Sequence, residues 1–507
     1  MKEMSSKTIL EKGFSGAVHQ YIAAIINGIL GFFITVFIIR NLTISDYGIY
    51  NFLLSIVFLA MVITSFGLAP IIQRYLPEYR EKKNTYVQKK IMTIALVIRF
   101  IAACVFIIIL LLCTDKIMDI FHLPDYAEDT FPVIAIIILF VLESQLLGDA
   151  FLPSLFKNKY WNLSRLLYSI TKFTLFYFAI SFDYGVMGIV WAWLIAELII
   201  FVLFSIKAYQ IIFSHSVKKE DIIKIPFKRF INFGKFLYFY NLGYIFRDIA
   251  MDIFLLAYFI GSQAVGLYSF AYGIPFLIMS FSPGSRLRAV LYPLITRQYI
   301  RTGKQDDLVY YFRLINSIIF FSMVPIFIIL MILADKIILY VFNPEYILIV
   351  NLFILSSGFL MIQQFLFPYL PILFTLEKGR LLFVGTTISV YNLVMDIILI
   401  PTYGIVGAII ATGSAGIFLL LYYNLAIKKT IHLQYPWRSF SKFSLNILIT
   451  VLIVLAMRAL IYDVLSLVFV LMVGGLVYLL SSYINKGFEE KDRNVLNDAI
   501  GRKIWIF

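Results

Sequence analysis

The segment Tyr47-Gly48-Ile49-Tyr50-Asn51-Phe52 returns 218 residues later as Val265-Gly266-Leu267-Tyr268-Ser269-Phe270. A second pair repeats at nearly the same offset. Tyr184-Gly185-Val186-Met187-Gly188-Ile189 matches Tyr403-Gly404-Ile405-Val406-Gly407-Ala408 at 219, and Lys159 maps onto Lys378 at the same distance. Anchors that share one spacing describe an internal duplication. Each lies at the border of a long apolar run, so the duplicated unit is a block of hydrophobic segments.

Crossing about 30 Å of hydrocarbon takes about 20 helical residues. On that criterion spans are expected near 17–39, 48–69, 91–113, 131–152, 161–181, 186–206, 236–260, 265–290, 311–333, 347–373, 380–400, 404–426, 441–461 and 464–484. The first run, Ala17 to Ile39, is longer than a signal-peptide core and reads as the first span. The fold class predicted is an all-α polytopic membrane protein of about 14 transmembrane helices, with two six-helix pseudo-symmetric lobes plus two C-terminal helices. The N-terminal lobe takes residues 1–206 and the C-terminal lobe 236–427, joined by a basic inter-lobe linker over 207–235. Spans 13 and 14 occupy 428–485, and a cytoplasmic tail over 486–507 is assigned no role beyond solubility. Six crossings return the chain to one side, so the lobes are parallel repeats, an arrangement that places a transport site between the halves.

Composition agrees. The 507 residues are 61% apolar and 14% charged, where soluble domains run near 45–50% and about 25%. The net charge of +14 does not indicate nucleic-acid binding, because the basic residues sit in short clusters between apolar runs. With the N-terminus in the cytoplasm, the outer segments hold only Arg40, Lys116, Lys336 and Arg458, and Arg99, Lys172 and Arg247 lie inside spans. The other lysines and arginines fall in inner segments or toward the inner ends of spans. This positive-inside bias places both termini in the cytoplasm and the chain in the inner membrane. Cys104 and Cys113, nine residues apart on one helix, are too far apart for a disulfide.

The segment from Arg40 through Asp46-Tyr47-Gly48-Ile49-Tyr50, followed by Gly67 and Arg74-Tyr75-Leu76-Pro77-Glu78-Tyr79, resembles the first-hairpin signature of Wzx-like polysaccharide-synthesis flippases. These belong to the multidrug/oligosaccharidyl-lipid/polysaccharide (MOP) exporter superfamily. Asp252 with Ala257-Tyr258-Phe259-Ile260-Gly261 and Val265-Gly266-Leu267-Tyr268 is similar to the family's seventh-to-eighth helix signature. Ile400-Pro401-Thr402-Tyr403-Gly404-Ile405-Val406-Gly407-Ala408 is similar to its eleventh-to-twelfth. The sequence departs from the pattern at Ile253 and Asp396, where the family more often has a basic residue and Asn. The resemblance implies translocation of a lipid-linked oligosaccharide, usually on a polyprenyl diphosphate, from the inner to the outer leaflet by alternating access between two lobes. It implies coupling to a proton or sodium gradient rather than a bound cofactor. Its partners would be the lipid-linked substrate, membrane lipids, and a polysaccharide polymerase with its export machinery.

Charged groups at mid-membrane cost about 2.5–3.5 kcal/mol on insertion scales, so they face protein or a wet cavity. The seventh span is richest. Asn241, Tyr244, Asp248 and Asp252 are spaced to share one helical face, with Arg247 beside it. A guanidinium suits phosphate through its planar fork of donors, so Arg247 is the first candidate for the headgroup contact. Asp248 or Asp252 would orient it or take up a coupling cation. Arg286 and Arg288 near the end of span eight are further candidates. So are Gln20 and Asn27 on a polar face of span one. Arg99 and Lys172 either line the cavity or pair with Glu143 or Glu197. Pro275, Pro283, Pro325, Pro368 and Pro371 mark expected kinks. Two other classes remain: a cation-coupled drug antiporter of the same superfamily, whose cavity should be acidic, and a membrane-embedded polymerase or ligase, which would carry large outer loops.

Overall fold

The computed structural model describes residues 26–155, 157–214, 226–246, 248–281, 295–296, 298–500 and 505–507, with Val217 and Ile222. Among these the regular structure is entirely helical. Eleven helical segments are long and apolar enough to cross a membrane. They correspond to every expected span except the first, fifth and seventh. The chain is an all-α polytopic membrane protein, and its packing divides into two compact units, Met1–Gly266 and Leu267–Phe507.

The first unit begins with α1 (Ile26–Asn41) and α2 (Ile44–Ile63), whose N-terminus is capped by the Thr43 hydroxyl accepting from the Asp46 amide. Gly67, in the left-handed region at φ 68°, turns the chain into α3 (Leu68–Glu81). Leu68, Ile72, Tyr75, Leu76 and Tyr79 form its buried stripe, so this segment is an amphipathic helix between spans. Asn84 caps α4 (Thr85–Leu112) through Val87. There follow α5 (Thr130–Gln145), extended by a π turn over Leu146–Phe151, then α6 (Asn158–Ser181) and α7 (Gly185–Ala208). Helices α6 and α7 form a hairpin, and α5 packs on both α4 and α7.

The seventh expected span is not one helix. It is α8 (Phe227–Ile245) and α9 (Ile249–Phe259), separated at Phe246–Asp248. Asp248 takes an extended backbone (φ −83°, ψ 149°) and its carboxylate accepts from the Ala250 amide at 3.1 Å. An Asx cap of this kind competes with helix continuation. The single polar face expected from Asn241 to Asp252 is therefore divided between two helices. α8 lies on α2 and α3: Arg229 pairs with Glu78 through both guanidinium nitrogens (3.1 and 3.2 Å), Phe230 meets Tyr75 at 4.4 Å between centroids, and the Tyr238 hydroxyl donates to Ile63 O at 2.9 Å.

α9 runs along α2 and leads into α10 (Ser262–Ala271). Here the two copies of the repeated motif meet. A Cβ on Gly48 would lie 1.9 Å from Ser262 O, and one on Gly266 would lie 2.0 Å from Ile44 O. The Ser45 and Ser262 hydroxyls are 2.7 Å apart. Neither position has room for a side chain.

In the second unit, α11 (Gln305–Ile332) runs unbroken through Pro325. α12 (Val350–Gln363) ends ahead of Pro368, where the chain restarts as the short helix Tyr369–Thr375. α13 (Gly379–Tyr403) and α14 (Ile405–Lys428) form a hairpin hinged at Gly404, φ 60°. This matches Gly185, φ 54°, between α6 and α7. α15 (Trp437–Met457) and α16 (Val464–Asn485) follow as an antiparallel pair. The tail is not a mere solvated extension. It forms α17 (Glu490–Ile500), and Trp505 and Phe507 then return to pack on Phe321 of α11 at 5.8 and 5.5 Å, because the apolar residues after α17 gain burial that a free tail would forgo.

Gly48→Ala and Gly266→Ala should each destabilise the purified protein by about 1–3 kcal/mol through overpacking, read as a lowered thermal unfolding midpoint in detergent. Gly475→Ala, on a helix surface with open space around it, should be neutral or stabilising. A second outcome concerns Glu78, whose carboxyl is held below its usual pKa by hydrogen bonds from Lys82 and then Arg229. The contribution of this clamp is present above the ordinary carboxylate range and is lost as pH falls through the depressed value. Spin labels replacing Lys83 and Ile231 should show a broadened distance distribution in Glu78→Gln at neutral pH, and in the parent protein only in strong acid.

Candidate functional site

Helices α1, α2 and α6 leave between them a cavity of about 340 Å³ lined by Thr35, Tyr47, Tyr50, Asn51, Tyr168, Ser169 and Lys172. Its polar wall is organised locally. The Ser169 hydroxyl donates to Asn27 Oδ1 at 3.0 Å, joining α6 to α1. Thr35 and Asn51 are turned back on their own helices, donating to Gly31 O (2.9 Å) and Tyr47 O (2.7 Å). Lys172 is held differently. Its ammonium lies 4.9 Å from the Trp193 ring centroid, 5.1 Å from Phe176 and 5.8 Å from Tyr168. Glu197 is its charged neighbour, but among the described residues the two form no salt bridge. The cation is cradled by ring faces and turned to the cavity.

Two turns earlier on the same helix face, Arg165 grips Asp149 of the π turn at 2.8 and 3.0 Å, and the Trp161 indole donates to the same carboxylate at 3.0 Å. A π turn inserts an extra residue into the helix and frequently marks a functional position. Here it presents Asp149 to α6.

A second, smaller cavity of about 200 Å³ brings Arg99 of α4, Gln145 of α5 and Asn241 of α8 together with Ser65 and Gly67. Arg99 is buried and donates to Gln145 Oε1 at 2.7 Å and to Met61 O at 3.3 Å. Glu143 is its electrostatic neighbour without a direct salt bridge. Among the described residues neither Arg99 nor Lys172 forms a salt bridge, while Glu143 and Glu197 remain their respective charged neighbours.

Of the predicted site residues, Asn27 and Lys172 meet at the larger cavity, and Arg99 and Asn241 at the smaller. Asp252 is fully buried on α9, and Asp248 caps that helix. Gln20, Arg247, Arg286 and Arg288, with Pro283, lie outside the described residues, as does the side chain of Tyr244. Sequence reasoning missed Asn51, Asp149, Gln145, Arg165, Tyr168 and Ser169. Arg165, Tyr168, Ser169 and Lys172 recur at three- and four-residue steps, which was the available signal. In the second unit, Asn392 donates to Asp396 at 3.0 Å, both buried on α13.

A family model described as polysaccharide biosynthesis protein matches residues 15–299. The chain belongs to that family. The fold of this chain is similar to those of three solved structures. Lipid II flippase MurJ, in an inward closed conformation, aligns with a TM-score of 0.68 at 19% identity, covering 92% of this chain and 98% of its own. An inward-facing multidrug resistance MATE family transporter of the MOP superfamily aligns at 0.63 and 15% identity, covering 82% and 96%. A MATE transporter from Vibrio cholerae aligns at 0.51 and 15%, covering 84% and 99%. No curated protein matches the chain in sequence.

Arg99→Met should lower stability by about 1–3 kcal/mol, because it removes the donor to Gln145 Oε1 and Met61 O and leaves Glu143 without its cation. Adding Glu143→Gln should recover part of the loss. A double-mutant cycle on thermal unfolding reads the coupling, and strict additivity would show that the two groups do not sense each other.

Proposed function

We propose that the protein is a flippase for an anionic lipid-linked oligosaccharide, carrying a polyprenyl-diphosphate-linked glycan from the inner to the outer leaflet for surface polysaccharide export. The observation that carries this reading is Lys172: an intramembrane ammonium without a salt bridge among the described residues, facing a cavity lined by hydroxyl and amide side chains. Each of the three ring contacts contributes about 0.5–2 kcal/mol and Glu197 lies nearby, against a cost of about 2.5–3.5 kcal/mol for a lysine at mid-membrane. Its place on the wall of a polar cavity leaves the cation accessible to an anionic guest. Diphosphate supplies the anion. Sugar hydroxyls pair with groups that both donate and accept, such as Ser169, Tyr168 and Asn51. The lipid tail needs no pocket, since the bilayer solvates it.

The family assignment supports a role in polysaccharide biosynthesis, and the fold it shares with a lipid flippase and drug transporters supports carriage rather than catalysis. Alternating access between the duplicated lobes, 1–206 and 236–427, is the route in this reading, with both termini cytoplasmic. Arg247, Asp248, Asp252, Asn241, Tyr244, Gln20, Asn27, Arg99, Arg286 and Arg288 remain its further candidates, and a proton or sodium gradient its driving force. A polysaccharide polymerase and its export machinery would receive the product. The Lys172 ammonium disfavours the drug-antiporter alternative, because a cationic drug would meet like charge.

In proteoliposomes carrying a fluorescent polyprenyl-diphosphate oligosaccharide, the parent protein should move the label between leaflets and Lys172→Met should do so at least tenfold more slowly at equal incorporation. Lys172→Arg should retain part of the activity. Parent-level transport by Lys172→Met removes the reading, as does dye-resistance on expression without glycolipid movement.

A further inference from the structure

At one end of the α15–α16 pair the chain builds a second cationic pocket, in the other unit and unrelated to the cavities above. About 260 Å³ is enclosed by Arg438 and Lys442 at the start of α15, Lys486 just past α16, and Arg493 on α17. Two carboxylates, Glu489 and Glu490, share the rim. Glu489 is already engaged by Arg313 at 3.3 Å, so cations outnumber anions.

The base of this pocket is rigid. Lys442 donates to Asn485 O and Lys486 O, both at 3.0 Å, closing the end of α16. Asn485 returns a hydrogen bond to Lys442 O at 3.0 Å and a second to Asn446 Oδ1 at 3.1 Å. Lys486 itself takes the left-handed conformation (φ 47°). A Cβ on Gly487 would lie 2.1 Å from the Phe443 ring, and Phe488 is buried among Phe443, Phe321 and Trp505. The turn that carries Lys486 is thus pinned on both sides before any ligand arrives, which lowers the ordering cost of binding.

Its setting identifies the guest. Trp437 opens α15 and is 70% exposed, while Tyr483 and Ile484, in the last turn of α16, are 51% and 80% exposed. Aromatic and aliphatic side chains that stand out from a spanning pair beside a ring of cations mark the level where hydrocarbon gives way to headgroups. Basic pockets between spanning helices at that level suit anionic lipid heads. We propose that this pocket binds the phosphate headgroup of an anionic glycerophospholipid and ties the α15–α16 pair and the folded tail to the membrane surface.

The test uses full-length protein in phosphatidylcholine vesicles with a trace of spin-labelled phosphatidylglycerol, and electron paramagnetic resonance to read the motionally restricted fraction. The parent should restrict labelled phosphatidylglycerol in preference to labelled phosphatidylcholine. Arg438→Gln/Lys486→Gln/Arg493→Gln should lose affinity by about fivefold per cation, whereas Arg438→Lys/Arg493→Lys should keep the preference. Three results overturn the proposal: equal restriction of the two lipids by the parent, an unchanged preference in the triple variant, or displacement of the lipid by inorganic phosphate, which would make the ligand a soluble phosphate. Should the triple variant fail to fold, the lysine-swap and phosphate arms still decide.

Discussion

The first unit depends on one steric fact: helices α2 and α10 approach so closely that neither Gly48 nor Gly266 can carry a Cβ. The contact is reciprocal. Gly48 faces the carbonyl four residues before Gly266, and Gly266 faces the carbonyl four residues before Gly48. Two copies of one motif, related by duplication, therefore meet as a local pseudo-symmetric pair. In a membrane, where apolar burial does not drive helices together, such backbone approach is a main source of packing energy. From this crossing α9 is laid along α2, with Phe254 on Phe52 at 5.5 Å, and Asp252 is carried into the interior.

With the scaffold fixed, the intramembrane cations are accommodated in three ways. Arg165 is neutralised by Asp149, Arg99 is satisfied by neutral acceptors, and Lys172 is surrounded by aromatic rings. The differences follow from chemistry. A guanidinium offers five donors in a plane and can be satisfied by amide and carbonyl oxygens at a buried helix junction. An ammonium is a compact, strongly hydrated charge that gains less from such contacts. Three rings surround it, Glu197 is its charged neighbour, and it lines the cavity between α1, α2 and α6.

Much of this was legible in the sequence. Hydropathy marked eleven helices long and apolar enough to cross, and the glycine-containing repeats fall at the α2–α10 crossing and at the matched hairpins at Gly185 and Gly404. The fifth expected span is a helix, Asn158–Ser181, that lies outside those eleven. What could not be read was the pairing of spans. Arg99 and Asn241 are 142 positions apart, and no periodicity says that α4 and α8 share a cavity with Gln145. Lys172 stood out as an isolated cation, but its aromatic cradle draws on Trp193 from the next helix. The tail was misjudged for a similar reason: its apolar residues are few, and their value lies in Phe321, Phe443 and Phe488, which only the fold gathers.

The broken seventh span shows how a local signal can defeat a periodic one. Asn241, Tyr244, Asp248 and Asp252 fit a helical face by spacing, yet Asp248 gains more by capping a new helix than by extending the old one. The Asp248 amide donates to Ile245 O at 3.1 Å across the break, and irregular backbone at membrane depth is tolerated only where protein or a wet cavity satisfies it. Here Asn241 opens onto the Arg99 cavity just before the break, and Asp252 is buried just after it. The two half-helices are separately fastened, α8 by Glu78 and Arg229 and by Tyr238, α9 through the α2 packing. Each half of the interrupted span is thus held on its own neighbours. Asn241 and Asp252 flank the interruption, and discontinuous helices of transporters place their polar groups at such breaks.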